Sequence, residues 1–144
     1  MAKDARSISI NAPVEKVFAF MADPTHMPEI WPSLVEVKDV KQTPEHVGST
    51  YGWVFKMAGM RFEGATEVTE FVPNQRSVTK STKGIESTFV WTYEPEAGGT
   101  KVTMEVEYVV PIPLLGKLAE AFMMKQNERD GEVLLANLKA RMEA

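Results

Sequence analysis

The 144-residue chain has no cysteine. This excludes a disulfide framework, thiol catalysis and thiolate metal sites, and it suits a reducing compartment. Histidine is scarce as well. Only His26 and His46 occur, and no His-x-x-x-His or calcium-loop spacing accompanies them, so a histidine-rich metal site is excluded. There is no phosphate loop, no Gly-x-Gly-x-x-Gly and no Gly-x-Ser-x-Gly elbow. Basic runs are missing: no two Lys or Arg are adjacent, and the net charge is −4. A nucleic-acid partner, which needs a concentrated basic surface, is therefore not expected. No apolar run reaches the length of a leader or a membrane span. We expect a cytoplasmic protein without stable membrane insertion, cofactor or metal.

What is present is ordinary globular material. With 44% hydrophobic and 25% charged residues, the chain is expected to form one domain, residues 1–144, with a sizeable core. Ser7–Asn11 alternates around Ile8 and Ile10 and reads as a strand. Ala12-Pro13 opens a short helix with the stripe Val14, Val17, Phe18 and Met21, and a second helical piece is expected over Thr25–Ile30. His26, in that connection, reads as a turn or capping residue. From Leu34 to Val110, alternating segments are separated by Gly, Pro and Asn turns at hairpin spacing. Tyr51, Trp53, Phe55 and Met57 share one strand face, Phe62, Gly64, Thr66 and Val68 another, and Phe89, Trp91 and Tyr93 a third. Val102, Met104, Val106 and Tyr108 alternate cleanly, which turns Glu105 and Glu107 outward. Glu63, Glu67 and Glu70 are weighed with them as solvated strand residues. After Pro111-Ile112-Pro113 a helix is expected to about Met142, roughly 45 Å at 1.5 Å per residue. Helices segregated from an antiparallel sheet indicate an α+β fold.

The stretch AFMMKQNERDGEVLL, Ala121–Leu135, interrupts that last helix with polar residues. On a wheel referred to Phe122, Leu115, Leu118, Ala119 and Phe122 cluster together, and Val133, Leu134 and Leu138 form a second, overlapping cluster. Gln126, Arg129 and Asp130 fall between them on the inner side, with Asn127 on the flank. Three readings stay open: a helix break at Asp130-Gly131, a satisfied polar network, or a helix whose middle faces a cavity.

Several motifs carry a resemblance. SISINAPVEKVFAFMADPTHMPEIWP, VGSTYGW, TEFVPNQR, YEPEAGGTKVT and PIPLLGKLAEAF…LLANLKARMEA follow one another in the order seen in START-like domains. The chain resembles that superfamily, also called SRPBCC or polyketide-cyclase/dehydrase, over nearly its whole length. The resemblance implies a helix-grip fold: a curved seven-stranded antiparallel sheet around a long C-terminal helix, with two short helices between strands 1 and 2. It also implies a hydrophobic cavity for a lipid, polyketide, quinone or similar ligand.

The expected function is binding or transport of a hydrophobic or amphipathic small molecule. The ligand-binding candidates are Trp53, Phe55, Phe62, Phe89, Trp91, Leu118, Phe122, Met123, Gln126 and Asp130. A polyketide cyclase or dehydratase is the alternative. Asp130, Tyr51, Tyr93 or Tyr108 would then supply acid–base chemistry, although no catalytic motif is present. A third reading is an accessory protein that docks through VVPIPLLGKLAEAFMM, with transient membrane contact. A monomer or a homodimer fits each.

Overall fold

The computed structural model describes residues 2–57, 59–110 and 116–144. Strand β1 (Ala2–Ile10) leads to helix α1 (Val14–Ala22), a 3-10 turn (Pro24–His26) and the short helix α2 (Met27–Ile30). Six strands follow: β2 (Leu34–Lys41), β3 (Thr50–Met57), β4 (Met60–Val72), β5 (Arg76–Lys83), β6 (Ser87–Glu96) and β7 (Gly99–Tyr108). Helix α3 (Gly116–Glu143) ends the chain. The sheet runs β1-β7-β6-β5-β4-β3-β2, antiparallel throughout. This is the α+β helix-grip arrangement. Register shifts between Ala65 and Thr66 and between Val68 and Glu70 interrupt the β4–β5 ladder, and bulges of this kind bend a long strand.

Strand β1 starts earlier than its hydrophobic pattern indicates, pairing from Ala2↔Tyr108 to Ile10↔Thr100. Its inner positions include Asp4 and Arg6, which hid the alternation. These two neutralise each other at 2.8 Å, and Arg6 reaches Glu132 of α3 at 2.9 Å. Pro13 caps α1 without a side-chain bond, whereas Asp23 accepts the Thr25 backbone N–H at 2.9 Å to open the 3-10 turn. His26 belongs to that turn, its Nδ1 lying 2.8 Å from the Phe20 carbonyl. Helix α1 covers the sheet through Phe18, which meets Tyr93 and Phe71 edge-on at 5.0 and 5.1 Å. On β3, Trp53 lies across its register partner Gly64, where an added Cβ would fall 2.3 Å from the indole. Glycine is the residue that leaves this space, and the indole covers the bare backbone.

Helix α3 is continuous through Gly131, so the helix break falls away. Its inner line is Met123, Asn127, Gly131, Leu134, Leu135, Leu138 and Met142. A Cβ on Gly131 would sit 3.2 Å from Met104 Cε and 3.5 Å from the Arg6 side chain, so glycine there leaves room for these two side chains under the helix. This line corrects the wheel. Leu118 is 89% exposed, Phe122 is 58% exposed and Gln126 faces out. Leu115 and the PIPLL part of the suspected docking segment lie outside the described residues. The wheel was centred on Phe122, but the buried face is chosen by what β1, β7 and α2 cover. That face passes through Met123, one residue or about 100° away.

Side-chain anchors hold the C-terminal half of α3. Asn137 donates to the Ile30 carbonyl at 3.0 Å, Lys139 to the Ser9 carbonyl at 2.9 Å, and Glu143 accepts the Asn11 N–H at 2.8 Å. Lys16 donates to the Met142 carbonyl at 2.7 Å, and Arg141 pairs with Glu29. Leu138→Ala is therefore expected to lower the unfolding free energy by about 2–5 kcal/mol. Phe122→Ala should change it by less than about 0.5 kcal/mol. Urea denaturation of the two variants checks this, and a larger loss at Phe122 would refute the helix phase described here.

Candidate functional site

Where the anchored half of α3 ends, packing between helix and sheet gives way to a cavity of about 180 Å³. Its walls are aromatic because the pleat of β3 and β6 delivers alternate residues to one face. Trp53 and Phe55 come from β3, Phe89 and Trp91 from β6, and all four border the void. Trp31, from the link after α2, stands edge-on to Phe55 at 5.2 Å and to Phe89 at 5.4 Å. Trp53 is fixed by an indole N–H donated to Thr66 Oγ1 at 3.0 Å. At the far end the lining includes His46, whose ring stacks on Phe71 at 4.1 Å.

Polar groups also border this space, among them Asp130, Tyr51, Tyr93 and Tyr108. Asp130 accepts a hydrogen bond from the Trp31 indole N–H. Burial raises its carboxyl above the ordinary range, and hydrogen bonds from Ser33 and Trp31 pull it partly back. Burial pushes the Tyr51 phenol up to about 12. Among the described residues no protein group pairs with its hydroxyl, and the ring keeps some free surface because it faces the cavity. Burial raises Tyr93 as well, against a hydrogen bond with Ser77. Tyr108 is raised by burial, opposed by a hydrogen bond with Asn127, with the Asp4 and Glu128 charges adding to the rise. The site thus combines ring-lined walls with neutral phenols and the Asp130 carboxyl, which resists ionisation.

The structure brings Trp53, Phe55, Phe89, Trp91 and Asp130 together around one space. It does not bring the other candidates there. Phe62, the register partner of Phe55, packs on the core without bordering the cavity. Met123 is buried in that core at 2% exposure, Gln126 borders an outer groove, and Leu118 and Phe122 face solvent. For Leu118, Phe122 and Gln126 the cause is the helix phase. Sequence reasoning missed Trp31, Asn127 and Phe71. Trp31 carried no sequence signal for this role, since its contact with Asp130 spans 99 positions. Glu105 and Glu107 are exposed as expected. Among the described residues no group of three His, Asp or Glu is arranged to hold a metal, and no helix is long and apolar enough to cross a membrane.

Comparison with solved structures returns the same architecture. A protein of Thermus thermophilus, TTHA0849, superposes with a TM-score of 0.85 at 23% identity, covering 98% of this chain and 97% of that one. A START superfamily protein from Mycobacterium smegmatis gives 0.81 at 16% identity, covering 98% and 97%. The Zhui aromatase/cyclase from Streptomyces sp. R1128 gives 0.80 at 16% identity, covering 99% and 93%. A search of the curated proteins found no match. The family described as polyketide cyclase / dehydrase and lipid transport matches residues 1–143. With the helix-grip sheet, the long terminal helix and the interior cavity all in place, the chain belongs to that family.

Proposed function

We propose that the protein binds a hydrophobic or amphipathic small molecule in the cavity between the sheet and α3. The observation that carries this reading is the aromatic-walled void of about 180 Å³, bordered by Trp31, Trp53, Phe55, Phe89 and Trp91. An apolar cavity of ~150 Å³ already accepts a benzene ring. Flat aromatic walls favour ligands with rings or chains, and the unpaired Tyr51 hydroxyl offers such a ligand one hydrogen bond. Lipids, polyketides and quinones all present that combination.

A second reading is favoured by one observation, the Asp130 carboxyl held neutral-leaning at the edge of this space. A carboxyl with a raised pKa is suited to proton transfer, as a cyclase or dehydratase step requires. On this reading Asp130 would be the general acid–base, with Tyr51 able to donate a hydrogen bond to a developing oxyanion. Asp130→Asn would then retain ligand while losing turnover of ring-forming substrates.

Titration with the uncharged fluorophore N-phenylnaphthylamine should show saturable binding at one site. Thr79→Phe, which inserts a ring from the cavity wall opposite Phe89 in the β5–β6 register, should abolish it. Binding that is absent, or unaffected by the inserted ring, would overturn the assignment. The Asp130 carboxyl makes a separate prediction about stability. Its folded-state pKa is raised, so the penalty appears as pH climbs from the ordinary carboxylate range through the folded value, and is absent below it. Asp130→Asn keeps an acceptor for Trp31 and removes that penalty. The variant should gain thermal stability at neutral pH, with the gain fading below about pH 4. A loss of stability that is the same at both pH values would contradict the raised carboxyl.

A further inference from the structure

A second depression adjoins the cavity on the outside, a groove of about 350 Å³ between α3, the end of β3 and the link into β2. Met57, Asn127 and Asp130 border both spaces, so these three side chains stand between the groove and the cavity. Its rim carries the side chains of Lys56 and Arg129, both exposed, together with the Gln126 amide. Building on the ligand-binding reading above, we propose that this groove is a cationic doorway. The ligand it serves is an amphipath whose apolar, ring-bearing part enters the cavity while its anionic group (a carboxylate, sulfonate or phosphate) rests on Lys56 and Arg129.

Charge balance supports an anion over a cation. Among the described residues, Arg6, Arg61, Arg76 and Arg141 each pair with a carboxylate, whereas Arg129 does not. Lys56, like most of the lysines, also forms no ion pair, while Lys3, Lys38 and Lys139 do. Asp130, the acidic group in the groove, is already engaged by Trp31 and Ser33. With Asp130 ionised the groove carries one net positive charge, and with Asp130 protonated it carries two. This local excess stands out on a chain of net charge −4. A guanidinium fork and an ammonium across one groove suit a multi-oxygen anion, and the Gln126 and Asn127 amides add neutral donors. Gln126 and Arg129, which lie outside the cavity, thereby acquire a role at its entrance.

Two fluorophores that share one ring skeleton test this: N-phenylnaphthylamine and its charged counterpart anilinonaphthalene sulfonate. Wild-type protein should bind the sulfonate about tenfold more tightly, the gain expected of a charge-assisted contact. In the double variant Lys56→Gln with Arg129→Gln, the ratio of the two affinities should fall to near one. Both side chains are exposed, so the variant should fold, which circular dichroism checks. Equal binding of the two probes by wild type, or an unchanged ratio in the variant, would overturn the doorway while leaving the cavity reading intact. If neither probe binds wild type, the cavity reading itself falls, and the doorway with it.

Discussion

Everything about the interior depends on how α3 is held at one end. From Glu132 onward the helix is tied to β1, α1 and α2 by ion pairs and hydrogen bonds, and Leu134 and Leu138 are completely buried beneath it. Gly131 leaves room for the Met104 and Arg6 side chains at the point where this anchored part begins. Toward the N-terminus of the helix the side-chain bonds among the described residues are those of Asp130 with Trp31 and Ser33, then those of Asn127 with Tyr108 and, weakly, with Met57 sulfur at 3.8 Å. Leu118 and Phe122 there face solvent. The cavity lies under the middle of the helix, between Asn127 and Leu134, where the anchored turns begin.

The sheet was legible because period-two alternation is a local property, written in each strand without reference to its neighbours. Trp53, Phe55, Phe89 and Trp91 were found in that way, and all four border the cavity. The start of β1 was not legible. Its inward positions hold Asp4 and Arg6, whose charges are cancelled by each other and by a residue more than a hundred positions away. The phase of α3 failed for a related reason. Its apolar residues are spread around the helix, so composition marks no single face, and the buried one is decided by contacts with strands and α2. Leu118 and Phe122 misled because an apolar side chain on a helix is read as inward by default. Asp130 was placed correctly on the inner side, but its partner Trp31 lies in a different element, and no spacing rule connects the two.

The hydrogen bond from Trp31 to Asp130 reconciles two explanations that first competed for the polar middle of the helix. It is a satisfied polar contact, and it also stands at the edge of a void. A carboxylate left bare in this setting would cost several kcal/mol. The indole and the Ser33 hydroxyl reduce that cost without removing it, and for this reason the carboxyl still resists ionisation. The same bond ties the link after α2 to the helix and sets Trp31 edge-on to Phe55 and Phe89. One contact therefore closes the helix onto the sheet, shapes an aromatic wall and leaves a titratable group at the boundary between cavity and groove.

Features that cost stability gather around this one space. The Tyr51 phenol is held above its ordinary range by burial, Asp130 carries a desolvated carboxyl, and about 180 Å³ is left unfilled where side chains would gain dispersion contacts. Elsewhere the chain meets ordinary rules, with no buried side-chain polar atom left without a partner among the described residues and with charged strand residues such as Glu105 and Glu107 turned outward. Local rules broken together in one place, and kept in the rest of the molecule, are the physical mark of a site shaped for something other than stability. They coincide under the middle of α3, where Asn127, Asp130, Gly131 and Leu134 border the void. The turns that follow, with Leu135, Leu138 and Met142 buried, hold the core beside it.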